Sequence, residues 1–380
     1  MSGSTIACIC GQSGSAMGLV PVIRSVVDLH GWESSVLTYG EATAVFKSEG
    51  IRATACSNIG LSVSEASSWL KEQNPLVILL GSDASRHVEK SFIRAAAGLR
   101  IPTIMYIDYW SNYERRFTDL VGMAVPDRVA VIDECMATDI MAVGVSSARI
   151  CIVGSPALEN VSKAVASVDS LHRKNMRIAN NVSDDSICIL FLSSPDSELD
   201  FGDKPLLEKR QHSLFAVLND VAKILADIGR SISSKIHLIV RPHPREATSS
   251  FQEVDAGGIQ FTVSSQSTSF EALCIADLVV GLDTIMLIEA ILAKKVVISI
   301  GYVRPLNKAI KSLMALNGAF VSSRSELSAV LTRYLTGERC AQDTINMSLA
   351  DKAIHQMVEL VLELSSHDSL GATIHGKIGN

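Results

Sequence analysis

Short runs of consecutive apolar residues recur along the chain, separated by longer stretches with helical spacing. The runs cover residues 6–10, 76–80, 103–107, 129–132, 187–192, 236–240, 278–280 and 296–300. They are apolar at successive positions and do not alternate with polar residues, which is typical of parallel strands buried on both faces by crossover helices. The pattern therefore predicts an α/β protein with doubly wound sheets.

The strand rhythm stops after Gly154 and restarts at Ile187. At 380 residues the chain also exceeds the usual size of one domain. We therefore predict two Rossmann-like, doubly wound domains facing across a cleft, over residues 1–160 and 186–345, with a junction over residues 161–185. A last helical pattern, residues 346–365, is placed to cross back onto the first domain, and residues 366–380 are predicted to be a mobile tail.

Composition narrows the class of protein. Apolar residues make up 47% of the chain and charged residues 19%, which predicts a globular core and not a disordered chain. The net charge of −6 argues against a nucleic-acid partner. The eight cysteines show no metal-binding spacing, and no signal peptide or membrane-spanning run is recognisable. We expect a cytoplasmic protein without a metal or other cofactor.

A glycine-rich stretch, residues 11–18, follows the first predicted strand and precedes a helix. Glycines let the backbone approach a ligand, and the free N–H groups at a helix start favour an anion. Gly14 and Ser15 are therefore candidate phosphate-binding residues. The alternative is a tight turn between strand and helix, with no ligand.

Polar side chains follow two further strands of the first half. Asp83 comes directly after strand 76–80, where it is either a helix cap or a functional carboxylate. The segment 108–116 follows strand 103–107 and holds two carboxylates, Asp108 and Glu114, with aromatic residues and arginines. Such side chains bind sugars and phosphates, so we predict functional roles for Asp83, Asp108 and Glu114, in catalysis or in substrate binding. Substrate-binding roles are predicted for Trp110, Tyr113 and Arg116. An exposed, salt-bridged loop is the alternative for this segment.

In the second half, strand 236–240 ends in Arg241-Pro242-His243-Pro244. Each proline fixes its own φ and restricts the residue before it, so the loop around His243 is stiff. A fixed histidine beside Arg241 suits contact with a phosphate or a reacting sugar hydroxyl. The alternative is a histidine packed in a proline turn.

The turn after strand 278–280 is the second candidate site of this half. Backbone N–H groups at Asp283, Thr284 and Ile285, with the Thr284 hydroxyl, could hold a phosphate at the start of the next helix. Glu289 lies in that otherwise apolar helix, where a carboxylate is costly unless it has a partner. A ribose diol would be a suitable partner, and a buried structural ion pair is the alternative.

These motifs of the second half resemble a known group of proteins. Arg-Pro-His-Pro after a strand, then Ala-Asp-Leu-Val-Val-Gly, a helix start and Glu289-Ala290 are similar to the second domain of GT-B-fold nucleotide-sugar enzymes. The nearest families are the UDP-N-acetylglucosamine 2-epimerases, with the CDP-glycerol glycerophosphotransferases and capsule polysaccharide transferases as cousins. The resemblance implies that His243 contacts phosphate or takes part in catalysis, and that Thr284 and Glu289 bind the phosphates and ribose of the nucleotide.

The first half carries the same resemblance in shorter motifs. Gly81-Ser82-Asp83 resembles the Gly-Asp-Thr turn of the epimerases, and Val153-Gly154-Ser155-Pro156 resembles their Val-Thr-Gly-Asn segment. Asp108 and Glu114 occupy the region of their two later catalytic acids. The chain departs from that family at Asp108-Tyr109-Trp110-Ser111, where the epimerases have Glu-Ala-Gly-Leu-Arg, and at Leu282-Asp283-Thr284, where they have Ser-Gly-Gly.

The sequence therefore predicts a metal-independent, GT-B-type glycosyltransferase for polysaccharide or glycoconjugate synthesis. Its donor would be a UDP- or CDP-linked sugar, and its acceptor a sugar, a lipid-linked molecule or a polyol. The alternatives are a sugar-nucleotide 2-epimerase and a non-catalytic GT-B-like binding protein. The sequence leaves open peripheral membrane association and a homodimer.

Overall fold

The structure is a computed structural model of the chain. It describes residues 4–56, 62–194, 214–243, 246–251, 254–264, 268–282, 284–303, 308–316, 320–338 and 348–374. The chain divides into two compact units, the first formed by Met1–Asn160 and Met347–Asn380 and the second by Val161–Asn346.

The first unit contains a seven-stranded parallel sheet in the order β3-β2-β1-β4-β5-β8-β9, and a two-stranded antiparallel hairpin, β6-β7. Its strands are β1 (Thr5–Cys10), β2 (Glu33–Thr38), β3 (Thr54–Ala55), β4 (Val77–Leu80), β5 (Thr103–Tyr106), β6 (Thr118–Asp119), β7 (Gly122–Met123), β8 (Arg128–Val131) and β9 (Ile150–Ile152). Its helices are α1 (Ser13–His30), α2 (Ala42–Ser48), α3 (Val63–Gln73), α4 (Val88–Leu99), α5 (Tyr113–Phe117) and α6 (Glu134–Ala142). Helix α7 (Pro156–Ala166) begins in this unit and ends in the next.

The second unit contains a six-stranded parallel sheet in the order β12-β11-β10-β13-β14-β15. Its strands are β10 (Ser186–Leu192), β11 (Lys235–Arg241), β12 (Gln260–Val263), β13 (Leu278–Gly281), β14 (Val296–Ile300) and β15 (Phe320–Val321). Its helices are α8 (Ser170–Ala179), α9 (Leu214–Gly229), α10 (Ser269–Ile275), α11 (Ile285–Leu292), α12 (Lys308–Leu316) and α13 (Arg324–Leu335).

Burial explains why the apolar runs form the sheet interiors. Residues 6–10 of β1 and all of β4 are fully buried, since helices cover both faces of the first sheet. The runs at residues 187–192 and 236–240 pair as neighbouring parallel strands, with Ile187 opposite Ile236. Two doubly wound α/β units confirm the fold class that the apolar runs predict.

The last helix, α14 (Ala353–Ile374), belongs to the first unit. Met357, Val361 and Leu364 are buried in the same hydrophobic cluster as Leu19 and Ile23 of α1. The helix predicted from the sequence ends at residue 365, whereas the helix in the structure continues to Ile374. No glycine or proline interrupts the chain before Gly371, so nothing in the sequence forces the earlier end.

Candidate functional site

Each sheet has a point where the strand order reverses. In the first sheet β1 lies between β2 and β4, so the chain builds outward on one side and then returns to the other. In the second sheet β10 lies between β11 and β13 in the same way. Ligands of open α/β sheets bind outside the carboxyl ends of the strands at such points. Gly14, Ser15 and Asp83 follow strands at the first reversal, and His243 and Thr284 follow strands at the second, whereas the predicted residues of segment 108–116 follow β5.

At the carboxyl end of β1, helix α1 begins beside a carboxylate. The N-cap residue Gln12 makes no side-chain capping bond. A Cβ atom on Gly14 would lie 2.2 Å from Asp108 Oδ2, so the Asp108 carboxylate rests against the first turn of this helix. This is the position that the sequence analysis assigns to a ligand phosphate. Asp108 supplies the negative charge that the helix start favours.

Ser15 lies one residue further along α1 and is fully buried. Its Oγ accepts a 3.2 Å hydrogen bond from the Ser82 N–H group, in the turn after β4. Ser15 therefore joins the turns that follow β1 and β4. This contact supports the structural alternative for Ser15, a residue of the strand-to-helix turn.

Arg116 is the partner of Asp108. Its Nη1 atom lies 3.1 Å from Asp108 Oδ1 and also donates to the Ser82 carbonyl oxygen at 2.9 Å and to the Ser82 hydroxyl. Its Nε atom donates to the Ser111 carbonyl oxygen at 2.9 Å. Arg116 is only 6% exposed. It forms the internal salt bridge that the sequence left as an alternative, although this pair is buried and not exposed.

Asp83 is buried at the end of β4. Its Oδ1 accepts 2.7 Å hydrogen bonds from both the N–H group and the hydroxyl of Ser85, while Oδ2 has no partner among the described residues. Burial alone would raise the pKa of Asp83, but hydrogen bonds from Ser85, from the Gln12 side chain and from the Arg86 N–H group hold the pKa below its usual value. Asp83 is therefore ionised at neutral pH and keeps one oxygen for another group.

Two of the predicted aromatic residues face inward. Trp110 is buried, and its Nε1 donates a 2.8 Å hydrogen bond to Asp133 Oδ2. Asp133 also caps α6 through a bond from the Met136 N–H group. The Tyr113 hydroxyl is buried without a partner among the described residues, and burial raises its pKa. Both side chains therefore belong to the interior of the first unit.

Glu114 differs from the other two predicted acids of the first unit in its exposure to solvent. It is exposed in the first turn of α5. Among the described residues, neither Arg116 nor the Ser82 turn has a hydrogen bond or ion pair with Glu114. The structure thus brings Asp108, Arg116 and the Ser82 turn together, and it leaves Glu114 outside this group.

Tyr39 and Glu89 form a buried pair beside Asp83 that was not predicted from the sequence. The Tyr39 hydroxyl donates a 2.5 Å hydrogen bond to Glu89 Oε2, and both side chains are almost fully buried. Burial is the main reason why the pKa of Glu89 is raised to about 8. A signal for this residue was present, because Glu89 is three, four and seven positions before the buried Phe92, Ile93 and Ala96 of α4.

In the second unit a buried carboxylate lies in α11. Glu289 is 3% exposed, and its Oε2 has no hydrogen-bond partner among the described residues. Burial raises its pKa to about 7, opposed by the positive charge of Arg241 at the end of β11. In turn, burial lowers the pKa of Arg241, opposed by Glu289 and Glu271. The two predicted residues therefore act on each other electrostatically, which is compatible with a structural ion pair and with a ribose-binding carboxylate.

The loop after β11 positions His243. The His243 N–H group donates to Glu246 Oε2 at 2.8 Å, and the Glu246 N–H group donates to the His243 carbonyl oxygen at 2.8 Å. These bonds hold the backbone on either side of residues 244 and 245, which are outside the described residues together with Asp283. His243 itself is half-buried.

Thr284 is the N-cap of α11. Its Oγ1 accepts a 3.4 Å hydrogen bond from the Met286 N–H group, and the helix begins at Ile285 as predicted from the sequence.

Ser193, which follows β10 at the reversal of the sheet, has a buried hydroxyl without a partner among the described residues. Ser193 was not predicted from the sequence, since serine after a strand is common in any turn.

Neither a metal-binding cluster nor a membrane-spanning helix is present in the described part of the chain. No group of three or more histidine, cysteine, aspartate or glutamate side chains there is arranged to hold a metal ion. No described helix combines the length and the apolar character that crossing a bilayer requires.

Comparison with known proteins finds similarity in structure only. No protein-family model matches the chain, and no curated protein matches its sequence. The UDP-GlcNAc 2-epimerase of Neisseria meningitidis, solved with UDP-GlcNAc, is similar with a TM-score of 0.67 at 12% identity, over 94% of this chain and 100% of that one. The UDP-GlcNAc 2-epimerase of Methanocaldococcus jannaschii gives a TM-score of 0.68 at 13% identity, over 94% of this chain and 99% of that one.

A glycosyltransferase of Rickettsia africae is similar over the full length of both chains, with a TM-score of 0.60 and 12% identity. Identities this low establish the fold alone. The chain has a GT-B-like fold of two α/β units, and the resemblance inferred from its motifs is confirmed at the level of the fold.

Proposed function

We propose that this protein is a nucleotide-sugar-dependent glycosyltransferase of GT-B type, acting in polysaccharide or glycoconjugate synthesis. The observation that carries the proposal is the buried Glu289 carboxylate, which has an unpartnered oxygen and lies under the influence of Arg241. An apolar helix keeps such a group only if a partner repays its desolvation.

The second unit binds the nucleotide in this proposal. The two hydroxyls of a ribose are donors that an ionised Glu289 accepts. The start of α11, at Thr284 and Ile285, offers N–H groups to the pyrophosphate. Arg241 and the half-buried His243 add positive charge, which stabilises the leaving diphosphate during transfer.

The first unit binds the acceptor. A base that removes the proton of an acceptor hydroxyl must be ionised at neutral pH and must have a free oxygen. Asp83 meets both conditions through its lowered pKa and its unpartnered Oδ2. Asp108 is the weaker candidate, because Arg116 neutralises its charge.

A nucleotide-binding screen tests the proposal. The melting temperature of the purified protein is measured with UDP, CDP and GDP and with their common sugar conjugates, for the wild type, Glu289→Gln and Glu338→Gln. Glu338 is an exposed glutamate of the second unit that pairs with Arg333, so it is a matched control. We expect a rise with one nucleotide in the wild type and in Glu338→Gln, and its loss in Glu289→Gln.

If no nucleotide raises the melting temperature of the wild type at millimolar concentration, the proposal fails. The alternative of a non-catalytic binding protein then takes its place. If a nucleotide binds but no acceptor supports turnover, transfer is wrong although nucleotide binding stands.

A second candidate is a sugar-nucleotide 2-epimerase. It is favoured by the similarity in fold to proteins named UDP-GlcNAc 2-epimerase, over 94% of this chain. Epimerisation exchanges a proton at a sugar carbon, whereas transfer does not. Incubation with UDP-GlcNAc in heavy water separates the two. Deuterium in the recovered sugar supports epimerisation, and a strict requirement for an acceptor without deuterium supports transfer.

A further inference from the structure

Arg86 lies at the carboxyl edge of the first sheet, beside the turns that follow β1 and β2. Its Cζ atom is 5.4 Å from the centre of the Tyr39 ring, a cation–π distance. Its Nη1 atom is 2.9 Å from the place where a Cβ on Gly40 would lie. Residue 40 has φ +57°, so glycine is favoured there and also leaves room for the guanidinium.

The aromatic ring under Arg86 is held in a fixed position. Tyr39 is 1% exposed, and its hydroxyl is bonded to Glu89. On the side of Gly11 the ring leaves no space, because a Cβ on that residue would lie 2.1 Å from the Tyr39 ring. Arg86 itself is partly exposed. A rigid, buried ring therefore presents a guanidinium at the protein surface.

No carboxylate of the described residues forms a salt bridge with Arg86. Arg94 differs, because it binds both oxygens of Asp119 at 2.7 Å. Two carboxylate oxygens close to Arg86 in the sequence, Asp83 Oδ2 and Glu89 Oε1, also have no hydrogen-bond partner among the described residues. The guanidinium therefore lies on the ring without a salt bridge from the described acids around it.

We propose that Arg86 binds an anionic group, a phosphate or a carboxylate, on the acceptor substrate. A guanidinium donates two parallel hydrogen bonds to either group, and the stacked ring fixes the plane of the donors. The Arg86 guanidinium lies beside the turn after β1 and the turn after β2, at the edge where α/β sheets bind ligands. The identification of the ligand as an acceptor rests on the proposed function, whereas anion binding by Arg86 does not.

Arginine modification tests the inference residue by residue. The full-length protein is treated with phenylglyoxal in inorganic phosphate, in acetate or in chloride, at equal ionic strength, and modified arginines are identified by peptide mass mapping. Arg100 and Arg115 are exposed arginines of the same unit and act as internal controls. We expect several-fold protection of Arg86, and not of the controls, by phosphate or by acetate relative to chloride. The protecting anion identifies the class of acceptor.

Arg86→Lys provides the second measurement, because it keeps the charge and loses the paired donors. The rise in melting temperature that the protecting anion causes in the wild type should be lost in this variant, while the rise caused by a nucleotide should stay. If neither anion protects Arg86 more than Arg100, the inference is overturned, and a retained nucleotide response shows that the proposed function still stands. If an anion protects Arg86 but no nucleotide raises the melting temperature, anion binding by Arg86 stands and the proposed function fails.

Discussion

The Tyr39 hydroxyl and Glu89 Oε2 are joined by a 2.5 Å hydrogen bond inside the first unit. The bond connects the loop after β2 to the first turn of α4. Glu89 Oε1 has no partner among the described residues, so one bond must compensate for the burial of the whole carboxylate. This is less than an ionised carboxylate requires, and it explains why burial raises the pKa of Glu89 to about 8.

Glu89→Gln should therefore change how stability depends on pH. The folded protein holds the Glu89 proton up to about pH 8, whereas the unfolded chain loses it near the ordinary glutamate pKa of 4.5. Stability due to this proton is fully present below pH 4.5 and is lost as the pH rises to about 8, by an amount on the order of 5 kcal/mol. Glutamine can still accept the Tyr39 bond and cannot ionise.

Melting temperatures of the wild type and Glu89→Gln between pH 5 and 9 measure this effect, with Glu72→Gln, at an exposed position of α3, as the control. As the pH rises, the melting temperature of Glu89→Gln should increase relative to that of the wild type, whereas that of Glu72→Gln should change as the wild type does. A constant difference between Glu89→Gln and the wild type at every pH would contradict the expected titration.

Glu289 should make nucleotide binding depend on pH. Burial raises its pKa to about 7, so the carboxylate that accepts ribose hydroxyls is fully formed only above neutrality. We expect the affinity for the nucleotide found in the screen to rise between pH 6 and pH 8. Calorimetric titration at both values measures it for the wild type and for Glu289→Gln.

Glu289→Gln separates the contribution of Glu289 to the pH dependence from that of the nucleotide, because the nucleotide phosphate also titrates between pH 6 and pH 8. Only the part of the pH effect that Glu289→Gln removes belongs to Glu289. An equal pH effect in the two proteins would assign all of it to the nucleotide or to other residues, His243 included.

Gly14→Ala should destabilise the first unit. The new Cβ would lie 2.2 Å from Asp108 Oδ2 and would displace a carboxylate that Arg116 holds from the other side. Overpacking of this kind costs about 1 to 3 kcal/mol. The matched control is Gly98→Ala in α4, where nothing lies within 4 Å of the added atom, and where alanine stabilises a helix by up to about 1 kcal/mol. Thermal unfolding should therefore move in opposite directions for the two variants.

Apolar runs in the sequence predicted four interior strands of each sheet, β1, β4, β5 and β8 in the first and β10, β11, β13 and β14 in the second, because burial on two faces leaves a continuous apolar run. The interior strand β2 has no such run, since its first half is polar and not fully buried. Strands at the sheet edges carry no such signal. At the outer ends of the first sheet, β3 is exposed and β9 is half-exposed, and neither was predicted. Loop 108–116 shows the same limit for the site. Its composition indicated binding, but the salt bridge between Asp108 and Arg116 and the approach of Asp108 to Gly14 depend on contacts between distant turns.

The Asp108–Arg116 pair should contribute more to stability than an exposed pair. Its side chains are 15% and 7% exposed, and the arginine also supports the Ser82 turn. Arg116→Met leaves a largely buried carboxylate against the start of α1, so this variant should lose more stability than Asp108→Asn. A double-mutant cycle on the pair should give a coupling on the order of 2 kcal/mol.

The exposed pair Arg24–Glu49 is the matched control, since its side chains are 47% and 41% exposed and its ions are 2.9 Å apart. Solvent and salt screen such a pair, so the same cycle there should give less than about 1 kcal/mol and should weaken further in high salt. Equal couplings in the two cycles would mean that the Asp108–Arg116 pair is as accessible to water as the exposed one. In that case Asp108 would not be neutralised, and it would become as strong a candidate for the catalytic base as Asp83.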